Sequence, residues 1–175
     1  MTVWVAFLRG VNLGKRQMKM AELRACCERM GLADVKTIVA SGNVRFTTDD
    51  DGGLRARLEA ALEKDFAFPV KVILRTAAEI EAMLARVPFA AVDPQADVAL
   101  HVLLSDVPMT PRPKLEGVLP AHIEVPRFDE RELYLVAHRL PSGRYTEGLE
   151  PLGKALPKGI VVTMRNWNTV LKLLN

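Results

Sequence analysis

Two strand-like runs constrain the fold of this chain more than any other feature, because each is apolar at nearly every position. They read VWVAFLR at residues 3–9 and VALHVLL at residues 98–104. A strand with one face in solvent alternates apolar and polar side chains, whereas a continuous apolar run indicates a strand covered on both faces. We therefore expect two central strands, one in each of two halves that pack together.

The same order of elements is predicted after each run. The order βαββαβ is that of the ferredoxin-like split unit. In the first copy, the first run is followed by a helix near 18–30 and by strands at 35–40 and 43–48 joined at Ser41-Gly42-Asn43. A helix after TTDDDGG and the strand PVKVILR complete this copy. In the second copy, the run at 98–104 is followed by a short proline-bounded helix near 112–119 and by strands at 122–128 and 132–137. A helix near 147–156 and a strand at 160–164 complete this copy.

A trailing helix is predicted behind each copy, at 76–87 and at 166–174. Thr76 and Glu79 have the spacing of a capping box, in which each side chain bonds the backbone of the other residue. The predicted fold is therefore α+β, a tandem duplication of a ferredoxin-like βαββαβ unit, each with a trailing helix. Residues 1–88 form the first half, 89–97 a linker and 98–175 the second half, expected as one compact unit.

The composition is that of an ordinary globular protein. The chain has 175 residues, 49% of them hydrophobic and 26% charged, with a net charge of +3. No apolar run approaches the ~20 residues that span a bilayer, and no signal-peptide core is present, so no membrane association is expected. Adjacent Cys26 and Cys27 cannot easily pair within a helix, which favours a reducing compartment, the cytoplasm. The three histidines are scattered, so neither a metal nor a cofactor is predicted.

Topology predicts a polar cluster at one end of the first half. The first two strands of a split unit run parallel, so the loop RGVNLGKRQ and the hairpin SGN meet at one sheet end. The N-terminus of the first helix points to the same end, where free N–H groups favour an anion. The candidate ligand-binding residues of this half are Arg9, Asn12, Lys15, Ser41 and Asn43.

A second cluster is predicted at the opposite sheet end of the second half. There the loop HRLPSGRYTEG meets the segment RNWNT that follows the last strand. The candidate ligand-binding residues of this half are Arg144, Arg165, Asn166 and Asn168.

Structural interpretations of the same residues stay open beside these. The helical spacing of Trp167, Val170, Leu171 and Leu174 is typical of a core face, and Asn166 and Asn168 fit helix caps. Arg165 would share the opposite, solvated face of that helix, and Ser41-Gly42-Asn43 fits a plain hairpin turn.

The chain also resembles a known family, the domain-of-unknown-function 1697 family. The similarity runs in order through FLRGVNLGKRQMKMAEL, VKTIVASGNVRF, the PF after the first trailing helix, and TMRNWNTVLKL. The resemblance implies two ferredoxin-like α+β halves. The family has no settled activity, so it implies no catalytic residues. This chain departs from the family pattern in reading Leu13-Gly14-Lys15-Arg16 where a double glycine is usual, and Pro141-Ser142-Gly143-Arg144-Tyr145-Thr146 where a Pro-Asp-Gly is usual before a Ser-Lys pair.

Three functions are consistent with these patterns. The first is an anion-binding module whose partner is a nucleotide, a nucleic acid or a phosphorylated metabolite. The second is an enzyme acting on a small phosphorylated or carboxylated substrate, for which Glu147 is the one nearby carboxylate. The third is a protein-interaction or structural domain whose polar clusters only hold the fold together.

Overall fold

The structure is a computed structural model, and it describes residues 1–11, 13–38 and 42–175. The chain forms two compact units. The first comprises Met1–Ala82 together with Leu171–Asn175, and the second comprises Met83–Val170. Within the described residues no helix is long and apolar enough to cross a membrane.

The first unit contains one four-stranded antiparallel sheet with helices on it. Its elements are β1 (Thr2–Arg9), α1 (Met20–Arg29), β2 (Ala33–Ile38), β3 (Asn43–Thr48), α2 (Leu54–Phe66) and β4 (Lys71–Thr76), and α3 (Ala77–Ala85) follows. The strands lie in the order β2-β3-β1-β4. Val5, Ala6, Phe7 and Leu8 are all buried, so β1 is covered on both faces, as its apolar run predicts.

The helices of the first unit each bury an apolar face in its core. Leu23, Cys26 and Cys27 of α1 and Leu58 and Leu62 of α2 are buried in the core of this unit. Burial raises the pKa of both Cys26 and Cys27 to about 12, so both thiols stay protonated at neutral pH. The predicted capping box is present: Glu79 Oε2 accepts the Thr76 N–H at 2.7 Å, and Thr76 Oγ1 accepts the Glu79 N–H at 3.2 Å.

The second unit contains a similar sheet and shorter helices. Its elements are β5 (Val98–Ser105), β6 (Ile123–Asp129), β7 (Glu132–His138), α4 (Glu150–Ala155), β8 (Val162–Asn166) and α5 (Trp167–Val170), with strand order β6-β7-β5-β8. Together the two units make a mixed α+β protein of two similar halves. Residues 89–97, the predicted linker, lie within the second unit.

Three sequence predictions fail in the second unit. The helix predicted near 112–119 is absent, and that stretch forms turns. Gly117 interrupts a helix here, because its φ of +71° lies outside the right-handed helical region. The helix predicted at 147–156 shrinks to Glu150–Ala155, and the closing helix ends at Val170 instead of 174. The second unit therefore reads βββαβα in place of the predicted βαββαβ order with its trailing helix.

Candidate functional site

The loop after β1 meets the β2–β3 hairpin, as topology predicts. Phe7 lies opposite Asn43 in the β1·β3 ladder, and the Leu8 N–H donates to the Gly42 carbonyl at 2.8 Å. A Cβ on Gly42 would stand 2.9 Å from Cγ2 of Val11, so the hairpin and the loop are in close contact. Two candidate residues of this cluster, Asn12 and Ser41, fall outside the described residues.

Asn43 sits inside the protein and not at its surface. Its side chain is fully buried, and its Nδ2 donates to the Ile38 carbonyl at 3.0 Å. This bond joins the two ends of the hairpin, which is how a short polar side chain commonly satisfies turn backbone.

Two cations face each other where β1 ends. Arg9 is exposed and lies directly opposite Lys71 of β4, which is exposed as well. Lys71 Nζ stands 3.7 Å from Glu59 Oε2, while Arg9 forms no ion pair with any residue that the structure describes. Like charges directly opposite in a strand pair repel and destabilise the sheet.

The loop that follows adds three more cations. Arg16 donates to the Gly10 carbonyl at 3.4 Å, and its guanidinium lies 5.3 Å from the centre of the Phe68 ring. Lys15 and Lys19 are exposed and have no carboxylate partner in the described part of the chain. Lys19 is the N-cap of α1, and its side chain makes no capping bond. We name Arg9, Lys15, Arg16, Lys19 and Lys71 the basic end of the first unit.

A second polar site lies where β7 and β8 end. A cavity of about 380 Å³, here the polar cavity, opens beside Asn166, Asn168 and Tyr145. Its other wall comes from residues 89–100, which include Phe89, Asp93 and Pro94. The loop after β7 and the segment after β8 are thus brought together as predicted.

The candidates of this second cluster differ in their surroundings. Asn166 Oδ1 accepts the Asn168 N–H at 2.8 Å, which confirms the capping interpretation of Asn166. Arg144 is exposed and pairs with Glu147 at 3.3 Å. Trp167 is buried and stacks edge-on with Phe89 and Tyr134, which confirms its core interpretation.

Arg165 is buried, which contradicts its assignment to a solvated helix face. It lies on β8 and not on the helix, with 8% of its surface exposed. Its Nη1 donates to Thr163 Oγ1 at 2.6 Å and to the Met164 carbonyl at 3.0 Å. Burial lowers the pKa of the Arg165 guanidinium to about 10, so it still carries its charge at neutral pH.

A carboxylate network that the sequence did not reveal lies next to the polar cavity. Asp97 Oδ1 accepts the Tyr145 hydroxyl at 2.6 Å, and Asp97 Oδ2 accepts from Arg139 at 3.3 Å. The Tyr145 hydrogen bond first, and Arg139 second, lower the pKa of Asp97, and the same bond raises the pKa of Tyr145. The network ties the start of β5 to the loop after β7.

The residues that sequence reasoning missed belong to elements assigned other roles. Asp93 and Asp97 lie in a stretch predicted to be a linker. The sequence signal available there was the Asp93-Pro94 step, which is typical of a turn. Lys71 joins the basic end only through the register of β4 against β1, which no local pattern reveals. Among the described residues no group of three or more His, Cys, Asp or Glu side chains is arranged to hold a metal ion.

Comparison with known proteins agrees with this fold. No curated protein matches the sequence significantly. A conserved bacterial protein from Streptococcus pneumoniae has a similar structure, with a TM-score of 0.74 and 24% sequence identity over 99% of this chain and 96% of that one. At this identity the likeness shows a shared fold only. Residues 1–134 match the family described as "Protein of unknown function (DUF1697)", and the chain therefore belongs to that family.

Proposed function

We propose that the first unit is an anion-binding module whose ligand, a nucleotide or a nucleic acid, is held by its phosphates at the basic end. One observation carries this proposal: Arg9 lies directly opposite Lys71, beside a loop with three further cations. Such an arrangement costs stability in the free protein. A bound phosphate would sit between the two cations and remove their repulsion.

The surroundings of these cations support the same ligand class. Lys71 is the only one of the five that has a carboxylate partner within the described residues. The first turn of α1 adds backbone N–H groups without a side-chain cap, and the helix dipole there favours negative charge. The Arg16 guanidinium lies over the Phe68 ring and donates to the Gly10 carbonyl, and these two contacts hold it in place.

Binding, and not catalysis, is what this geometry supports. Residues 1–88 contain no histidine. The carboxylate that pairs with Lys71 belongs to Glu59, and its Oε1 already accepts the Val72 N–H at 2.9 Å. Glu59 is thus held by the Val72 N–H on one oxygen and by Lys71 near the other, as a structural partner of β4.

The candidate residues from both units fall into three groups according to the role that we propose for them. Arg9 and Lys15 are proposed to contact phosphate, and Asn12 and Ser41, which lie outside the described residues, stay in the proposed set. We assign Asn43 and Arg165 to holding their own units together, because both are buried and bonded to neighbouring backbone. A third group lines or adjoins the polar cavity of the second unit and is proposed to take no part: Arg144, Asn166 and Asn168.

We further infer that each unit is a variant of the ferredoxin-like split unit. The strand order β2-β3-β1-β4, with α1 and α2 connecting parallel strands, supports this for the first unit. The matching order β6-β7-β5-β8 supports it for the second unit, in which turns replace the first connecting helix.

The test is binding of fluorescently labelled 12-nucleotide RNA and DNA strands, read by anisotropy over a range of salt concentrations, with mononucleotides in a thermal-shift assay. Arg9→Gln with Lys15→Gln is expected to weaken oligonucleotide binding by roughly tenfold or more and to reduce the slope of log affinity against log salt by about 1.4. Lys64→Gln with Lys158→Gln is the matched control, because it removes the same charge from exposed positions outside the site. An affinity that does not fall with salt, or an equal loss in both double variants, would contradict the proposal.

A further inference from the structure

A cleft of about 700 Å³ opens in the second unit between residues 111–118 and α4. It lies apart from the polar cavity and shares no lining residue with it. Its eleven lining residues are Pro111, Arg112, Pro113, Lys114, Gly117, Val118, Pro151, Lys154, Ala155, Leu156 and Pro157. Its volume is within the range of small-molecule sites, roughly 300–1,000 Å³.

The first unit explains why this cleft exists. There α1 follows the first strand, packs against α2 and closes the core with interlocking apolar side chains. In the second unit the corresponding stretch has prolines at 108, 111 and 113 and forms turns, and its facing helix, α4, has only six residues. A non-helical segment and a six-residue helix cannot interlock as two longer helices do, so the space that α1 and α2 fill in one unit stays open in the other.

The chemistry of the cleft walls is apolar with cations at the edge. Leu156 is buried as part of the core of the second unit, and Val118 is half-buried beside it. Arg112 is held in place over the Phe128 ring, 4.8 Å from its centre. Lys114 and Lys154 are exposed and form no ion pair with any residue that the structure describes, and the lining contains no carboxylate.

We propose that this cleft binds an aliphatic carboxylate, with its chain on the proline, valine and leucine surface and its head group between Lys114 and Lys154. The apolar walls favour a hydrocarbon chain, because its burial removes apolar surface from water. Three cations without a counter-charge favour one anionic head and disfavour a cationic one. This site does not depend on the basic end, which belongs to the first unit.

The experiment is isothermal titration of the whole protein with decanoate below its micellar range. Decyltrimethylammonium, which has the same chain and the opposite charge, is the control ligand. Lys114→Gln with Lys154→Gln is expected to weaken decanoate binding by roughly two- to thirtyfold, the range for two exposed charge contacts. Lys64→Gln with Lys158→Gln is expected to leave it unchanged, as is Arg9→Gln with Lys15→Gln at the basic end.

Ala155→Phe, which places a ring in the cleft, is expected to abolish binding and to keep a cooperative thermal transition. The two lysine changes are at exposed positions, so they test the site even if Ala155→Phe does not fold. Saturable decanoate binding that depends on both lysines and exceeds that of decyltrimethylammonium supports the proposal. No saturable binding, equal binding of the cation, or the same loss in the Lys64/Lys158 control overturns it.

Discussion

Among single residues, two buried arginines show most clearly how similar the two units are. Arg75 lies opposite Val5 in the first sheet, and Arg165 lies opposite Val102 in the second. Each donates its Nη1 to the carbonyl of the residue before it at 3.0 Å, and each stands two residues before a trailing helix. The local hydrogen bond thus satisfies the backbone where each last strand ends.

Arg165→Ala is expected to lower the free energy of unfolding by about 2–4 kcal/mol. The change removes bonds to Thr163 Oγ1 and the Met164 carbonyl and leaves a cavity where a large side chain was buried. Urea denaturation measures the loss. Arg144→Ala is the control, because that side chain is exposed and its single ion pair contributes about 1 kcal/mol at most. Equal losses in the two variants would show that the buried hydrogen bonds of Arg165 stabilise the protein no more than the exposed ion pair of Arg144 does.

The pH dependence of stability is expected to report on His101. Burial lowers the pKa of His101 below its ordinary 6.5, so the unfolded chain binds this proton first as pH falls. Stability is therefore fully present above about pH 6.5 and declines as the solution is acidified through and below that value. His101→Phe is expected to flatten unfolding free energy between pH 7 and 5.5. Lys64→Gln, an exposed change that removes no histidine, should keep the wild-type slope, and a slope unchanged in His101→Phe would contradict the assignment.

The error over Arg165 shows why side-chain exposure is hard to predict at element boundaries. If the helical period of the predicted helix at 166–174 is extended back by one residue, Arg165 falls on the polar stripe with Thr169 and Lys172. In the structure the strand continues through Asn166, so alternation along β8 decides which face Arg165 takes, and that face is inward. A shift of two residues in the boundary between strand and helix changes the side-chain period at Arg165 from 3.6 to 2 residues. The side chain assigned to solvent is then assigned to the core.

At the level of elements, the strands could be predicted and one helix could not. Continuous apolar runs place β1 and β5 almost to the residue, because central strands need apolar side chains on both faces. The helix near 112–119 was predicted as a short helix bounded by proline, and the structure instead has Gly117 within that span at φ +71°, outside the right-handed helical region. The meeting of the β1 loop with the hairpin follows from topology, whereas Lys71 opposite Arg9 depends on register, which long-range packing sets.

Gly42 tests the tight contact between the hairpin and the β1 loop. It has φ +77°, and a Cβ there would lie 2.9 Å from Val11 Cγ2 and 3.2 Å from Leu8 Cβ. Gly42→Ala is expected to lower the free energy of unfolding by about 3 kcal/mol, from backbone strain and steric overlap together. Gly14→Ala isolates the strain, about 1–2 kcal/mol, because its φ is +57° and nothing lies within 4 Å. Thermal and urea unfolding measure the loss in both variants. Equal losses would mean that Val11 and Leu8 move aside for the new Cβ at no cost in free energy.

At the scale of the whole molecule, the first unit contains both ends of the chain. The chain leaves the first unit at Ala82, forms the second unit, and returns to the first with Leu171–Asn175. The predicted boundaries, 1–88 and 98–175, place those last residues with the second half. Their return could not be predicted, because the apolar spacing of Leu171 and Leu174 fits one continuous helix with Trp167 equally well.

The returning residues are expected to stabilise the first unit. Leu173 is fully buried, and the Asn175 carbonyl accepts hydrogen bonds from Lys36 at 2.9 Å and Arg45 at 3.1 Å. Leu173→Ala is expected to lower the free energy of unfolding by about 2–4 kcal/mol, the usual range for a buried leucine.

Hydrogen exchange followed by mass spectrometry locates that loss within the chain. If Leu173 belongs to the first unit, amides of β2 and β3 lose protection in Leu173→Ala more than amides of β6 and β7 do, because local opening follows local packing. Leu171→Ala is the matched control, since Leu171 is 49% exposed and its truncation should change unfolding free energy by less than about 0.5 kcal/mol. Protection lost mainly from β6 and β7 would instead assign these last residues to the second unit, and the returning path of the chain would be wrong.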